Sequence, residues 1–139
     1  MNAFAPWLIA GAAGICLVLG AIHVLYTFRG AKLAPRDGEL LRRMKSVSPV
    51  ISSETTVWKC WVGFNASHGF GCILFGAVYG YLALVHSVFF FRSIFLQLLG
   101  VLFLVGYAFL GKRYWFSIPF RGILLATTLY VLGLLIAVA

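Results

Sequence analysis

Trp58–His86, WKCWVGFNASHGFGCILFGAVYGYLALVH, decides the fold. After Lys59 it contains no Asp, Glu, Lys or Arg, and as one helix it is long enough to cross a hydrocarbon core of about 30 Å. Its strongly polar side chains are gathered in Gly63-Phe64-Asn65-Ala66-Ser67-His68-Gly69-Phe70-Gly71. At about 100° per residue, Trp61, Asn65, His68, Gly69, Cys72, Gly76, Tyr79, Gly80 and Ala83 share one face. Phe70, Leu74, Val78 and Tyr81 lie opposite and suit lipid. Asn65 and His68 are costly in hydrocarbon, so they are expected to point into the protein.

The rest of the chain agrees with a membrane setting. Of its 139 residues 63% are hydrophobic and 10% charged, and its mean hydropathy is +1.02. That is too apolar for a soluble domain. One integral membrane domain over 1–139 uses nearly every residue and leaves no separate soluble module. The formal charge of +8 does not indicate nucleic acid, because the basic residues cluster beside the ends of the apolar runs. The lipid bilayer and its anionic headgroups are the expected partners. Three cysteines, Cys16, Cys60 and Cys72, without a CxxC argue against a disulfide framework or a zinc knuckle.

Four spans are predicted, at about 6–28, 59–86, 89–111 and 118–138, making an all-α four-transmembrane-helix bundle. The first does not read as a cleaved signal peptide, since Met1–Trp7 has no Lys or Arg. Ala12, Cys16, Gly20, His23 and Thr27 fall on one of its faces, with Val18, Ala21 and Leu25 opposite. The connection 29–58 is hydrophilic and holds all three acids, Asp37, Glu39 and Glu54. Pro35-Arg36-Asp37-Gly38 is a turn with Asp37 as helix cap. Leu40, Leu41, Met44 and Val47 then recur at helical spacing among Arg42, Arg43 and Lys45, the pattern of a short amphipathic helix on a membrane surface or of a solvated loop helix. Ser48-Pro49 should end it, and Ser52 or Ser53 should cap the second span. Ser87–Arg92 reads as a tight connection. Pro119 sits in the first turn of the fourth span, where its missing N–H costs nothing.

Charge sets the expected topology. Arg29, Lys32, Arg36, Arg42, Arg43, Lys45 and Lys59 flank the first connection, and Lys112, Arg113 and Arg121 the third. Only Arg92 lies on the other side. The positive-inside rule makes the first connection cytoplasmic and both termini non-cytoplasmic, in the plasma (inner) membrane if the source is bacterial.

His23 lies about 9 Å along the helix from Arg29, Asn65 about 9 Å from Lys59 and His68 about 14 Å, at 1.5 Å per residue. The three can therefore meet in the inner half of the bilayer, with Thr27, Tyr107 and Thr127 expected in the same layer. Close packing of the first two spans is expected through Cys16, Gly20, Gly69, Cys72, Gly76 and Gly80, because small residues let backbones approach. Several readings of the cluster stay open. His23 and His68 could ligate haem iron. His, Asn and Tyr could hold the head of a quinone or lipid. The polar bonds could simply fix helix register in a structural or assembly protein. A homo-oligomer could transport, although no acid lies inside a predicted span. In size and span number the chain resembles the membrane glutathione transferases, but their Arg-, Asn- and Glu-rich helix motif is absent and no residue role is carried over. HExxH, GxSxG and phosphate-cradling glycine loops are also absent.

Overall fold

The computed structural model describes residues 2–138, and these are all-α. The helices are α1 (Ala5–Phe28), α2 (Gly38–Ser46), α3 (Val57–Val85), α4 (Ser87–Arg92), α5 (Ile94–Tyr114) and α6 (Ser117–Val138). α1, α3, α5 and α6 are long and apolar enough to cross a membrane. In hydrocarbon a chain has no water to satisfy its backbone, and continuous helices satisfy it internally.

The helix ends follow local chemistry. Asp37 caps α2, its Oδ1 accepting from the Glu39 N–H at 2.8 Å and the Leu40 N–H at 3.3 Å. Arg42 pairs with Glu39 one turn away. α2 ends at Ser46, and the Val47 N–H closes onto the Arg43 carbonyl. The Val57 N–H donates to the Val47 carbonyl at 2.9 Å, which ties the start of α3 to the end of α2.

Two expected boundaries need correction. α3 is capped by Thr56, whose Oγ1 accepts from the Lys59 N–H at 3.3 Å, and not by Ser52 or Ser53. Ser52 instead accepts from the Glu54 N–H within its own turn. The third span starts at Ile94 and not at 89. Ser93 leaves helical geometry (φ −95°, ψ 95°) and accepts the Leu96 N–H on its Oγ, so 87–92 form the separate α4. The Gln97 side chain donates to the Phe91 carbonyl at 2.8 Å, satisfying an orphan acceptor at the end of α4.

The described chain divides into two compact units. Among the described residues the first comprises 2–19 and 72–138, the second 20–71. In the first, parts of α1 and α3 join α4, α5 and α6 around a core of Ile9, Ala12, Ala13, Cys16, Phe75, Tyr79, Ala83, Phe90, Leu104, Ile123, Ala126 and Tyr130. Phe75 stacks on Tyr79 and on Phe103, each at 4.4 Å between ring centroids, and Phe103 stacks on Tyr107 at 4.3 Å. Such offset pairs add to the burial of large apolar rings. The hydroxyls inside this core are used: Tyr79 donates to the Leu96 carbonyl at 2.9 Å and Tyr130 to the Gln97 carbonyl at 3.2 Å. Leu74, Val78 and Tyr81 are exposed, as expected of a lipid face.

Two glycines of this unit mark close approach. A Cβ at Gly76 would lie 2.6 Å from the Ala13 carbonyl oxygen and 2.8 Å from the Leu17 nitrogen. A Cβ at Gly100 would lie 2.1 Å from the Tyr130 hydroxyl oxygen. Gly80 makes a looser contact, 3.6 Å from the Ala13 Cβ to the same ideal position.

Candidate functional site

The second unit contains the polar cluster. Gly20–Phe28 of α1, the connection with α2, and Val57–Gly71 of α3 all belong to it. Gly69 makes the approach possible: its Cβ would fall 2.6 Å from Val24 Cγ2 and 3.1 Å from the Gly20 carbonyl oxygen. With the backbones so near, His23 Nε2 reaches Asn65 Oδ1 at 3.1 Å. The Asn65 amide nitrogen donates to the Trp61 carbonyl, four residues back, at 2.8 Å. That bond orients the amide and turns its oxygen to His23, so neutral His23 carries its proton on Nε2 and donates. The Trp61 indole N–H in turn donates to the Leu33 carbonyl at 2.9 Å. A single string of hydrogen bonds thus joins the connection, α3 and α1. His68 meets His23 edge to face, with ring centroids 5.1 Å apart and planes at 71°.

Beside Asn65 lies a cavity of about 210 Å³. Tyr26, Thr27, Gly30 and Ala31 line it from the end of α1, Leu33 and Ala34 from the connection, Leu41 and Lys45 from α2, and Trp58, Trp61, Val62 and Asn65 from α3. Lys45 Nζ lies 5.9 Å from the Trp58 ring centroid, within cation–π range. A carboxamide offers two donors and two lone pairs. The two bonds above use one of each, which leaves Asn65 able to receive a further polar group.

The expected site residues divide as follows. His23, Asn65 and His68 come together in the second unit. Thr27 lines the cavity, but its hydroxyl donates to the His23 carbonyl at 2.8 Å. Thr127, in the first unit, likewise bonds back to its own helix, donating to the Ile123 carbonyl at 2.8 Å. Tyr107, also in the first unit, has its partners there, in a stack with Phe103, an edge contact with Trp115 and a hydrogen bond with the Cys72 side chain. Cys16 and Cys72 are buried in that unit. Gly20 is buried in the second.

Trp61 falls on the polar face by helical periodicity, and its hydrogen bonds in the site go beyond what was expected of it. The i, i+4 spacing of Trp61 and Asn65 was the available signal. Tyr26, Lys45 and Trp58 carried none, because which loop residues fold back over the cluster depends on the path of the connection. Among the described residues, no three His, Cys, Asp or Glu side chains gather as a metal site.

These features define an integral membrane protein with four spanning helices and a hydrogen-bonded His/Asn cluster next to a small cavity. No protein-family model, curated protein or solved structure matches the chain.

Proposed function

We propose that the protein binds a membrane-soluble ligand with a compact polar head, a lipid or a quinone, through the His23–Asn65–His68 cluster. The observation that carries this reading is the half-used Asn65 amide, fixed by Trp61 and His23 and bordering a cavity. A purely structural amide would be enclosed by packing. Haem suits the cluster less well. An iron held by two imidazoles needs both rings turned towards the metal from opposite faces of a flat macrocycle. Here the rings meet edge to face, His23 Nε2 is committed to Asn65, and Gly69 presses on Gly20 and Val24 where a porphyrin would have to lie. The same Gly69 contact favours a second reading, an assembly or structural protein in which the cluster sets helix register. Polar bonds between membrane helices contribute only about 0.6 kcal/mol on average, enough for that role.

Extraction and mass spectrometry of the purified protein separate these readings. A lipid or quinone is expected to co-purify, with no Soret band. Asn65→Leu is expected to reduce its retention about tenfold, as loss of one hydrogen bond to a buried group would. Absence of any co-purifying molecule, or full retention in Asn65→Leu, would overturn the ligand reading. A Soret band lost in both His23→Ala and His68→Ala would restore haem.

The proposed orientation has the first connection in the cytoplasm and both termini outside, on the ten-to-one distribution of basic residues. A reporter fused after Lys45 should report the cytoplasm, and one at the C-terminus the opposite side. A cytoplasmic C-terminus would reverse the assignment.

A further inference from the structure

We infer that the cavity beside Asn65 takes an anionic, phosphate-bearing headgroup, with Lys45 as its charge partner. The inference rests on the ligand reading above and names the ligand's class.

Charge comes first. Lys45 lines the cavity, and none of Asp37, Glu39 and Glu54 does. The ion pair among the described residues joins Arg42 to Glu39, so no carboxylate neutralises Lys45. Its ammonium group instead lies by the Trp58 ring, which attracts the cation and leaves its three donors available to an anion. A neutral quinone head would have no use for this charge.

Size comes second. Sites that enclose a whole small molecule run from about 300 to 1,000 Å³. The cavity, at about 210 Å³, is smaller. It has room for a headgroup and none for a macrocycle or an acyl chain, which must remain in the bilayer.

The walls come third. Tryptophan and tyrosine are enriched at the depth of lipid headgroups, where one end of the ring is apolar and the other wet. Trp58, Trp61 and Tyr26 supply three such rings here. Trp61 is held by its bond to Leu33, so that wall is preformed. Asn65 then offers its remaining amide hydrogen to a phosphate or ester oxygen from the membrane side, and Lys45 approaches from the connection.

Native mass spectrometry of the detergent-purified full chain tests this, with phosphatidylglycerol and phosphatidylcholine offered in equal amounts. The anionic lipid is expected to be retained about fivefold over the zwitterionic one, the worth of one lysine beside an anionic head. Lys45→Gln should abolish that preference. Arg43→Gln removes an equal charge from the same helix outside the cavity and should keep it. No preference in the wild type, an unchanged preference in Lys45→Gln, or an equal loss in Arg43→Gln would overturn the inference. Inorganic phosphate in excess separates the sources: failure to displace the lipid supports a lipid headgroup, and displacement assigns the site to a free anion and overturns the lipid. If Lys45→Gln loses the preference while Asn65→Leu binds as the wild type does, the anion site stands and the cluster reading fails. If Asn65→Leu loses both lipids while Lys45→Gln keeps the preference, the reverse holds.

Discussion

Gly76→Leu is expected to prevent assembly of the first unit, giving little folded protein in detergent, whereas Leu74→Ala should melt close to the wild type. The two residues lie two apart on α3 and face opposite ways. Gly76 is buried where α1 and α3 touch through their backbones, and a Cβ there would sit 2.6 Å from the Ala13 carbonyl oxygen, 2.6 Å from the Leu17 Cβ and 2.8 Å from the Leu17 nitrogen. Two of these three atoms are backbone, so no rotamer change relieves the overlap. The helices would have to separate by several ångströms and lose dispersion contact along their length, the main source of association between membrane helices. Overpacking a relaxed site costs about 1–3 kcal/mol, and this site cannot relax, so the loss should exceed about 3 kcal/mol. Leu74 is 66% exposed. Truncating it removes contact with lipid or detergent and should change stability by about 0.5 kcal/mol or less. Thermal melts of both variants measure the contrast, and similar melting temperatures would refute the packing.

The glycine face of α3 was legible in the sequence because helical periodicity alone brings Gly69, Cys72, Gly76 and Gly80 into line. The same arithmetic gave the depth at which His23 and Asn65 meet, since each is counted from a charged residue at the end of its own span. Asp37 was legible as a cap because a short carboxylate before a helical pattern has one obvious use. Thr56 was not, as Ser52-Ser53-Glu54-Thr55-Thr56 offers four hydroxyls and the choice depends on where Val57 turns helical. The break near Ser93 was legible in part: Ser87–Arg92 reads as a connection, but its apolar Val88–Phe91 does not show where the third span begins, and the cap bond of Ser93 to Leu96 fixes the restart of the helix at Ile94. The site was legible in part. His23, Asn65 and His68 stand out because polar groups are conspicuous in apolar helices. Tyr26, Lys45 and Trp58 look like ordinary interfacial residues until the connection is seen to fold over Asn65. Thr127 bonds back to the Ile123 carbonyl of its own helix, and Tyr107 bonds the Cys72 side chain; depth counting along a helix does not show such bonds.

Gly100→Ala should be strongly destabilising although it adds one methyl group, and Tyr130→Phe should cost less in that background than in the wild type. Tyr130 is fully buried at the centre of the first unit, with Phe75, Tyr79 and Phe90 around its ring. Its hydroxyl is anchored to the Gln97 carbonyl, one helical turn before Gly100 on α5. The tyrosine therefore lies along the α5 backbone in the space a side chain at position 100 would occupy. An alanine Cβ would stand 2.1 Å from its hydroxyl oxygen, 2.5 Å from Cζ and 2.8 Å from Tyr79 Cε1. The ring cannot swing aside, because its neighbours are themselves stacked and Tyr79 is tied to the Leu96 carbonyl. The expected cost is about 2–3 kcal/mol, the upper part of the range for overpacking. Removing the hydroxyl in Tyr130→Phe deletes the nearest clashing atom but leaves Cζ in the way and forfeits the bond to Gln97, so the single variant loses about 1 kcal/mol. In the double variant the two losses should be less than additive by about 0.5–1.5 kcal/mol, the coupling of residues in direct contact. Denaturation of the wild type, the two single variants and the double variant closes the cycle. Strict additivity would mean that Tyr130 does not occupy the space above Gly100, and the packing of α5 on α6 would need a different account.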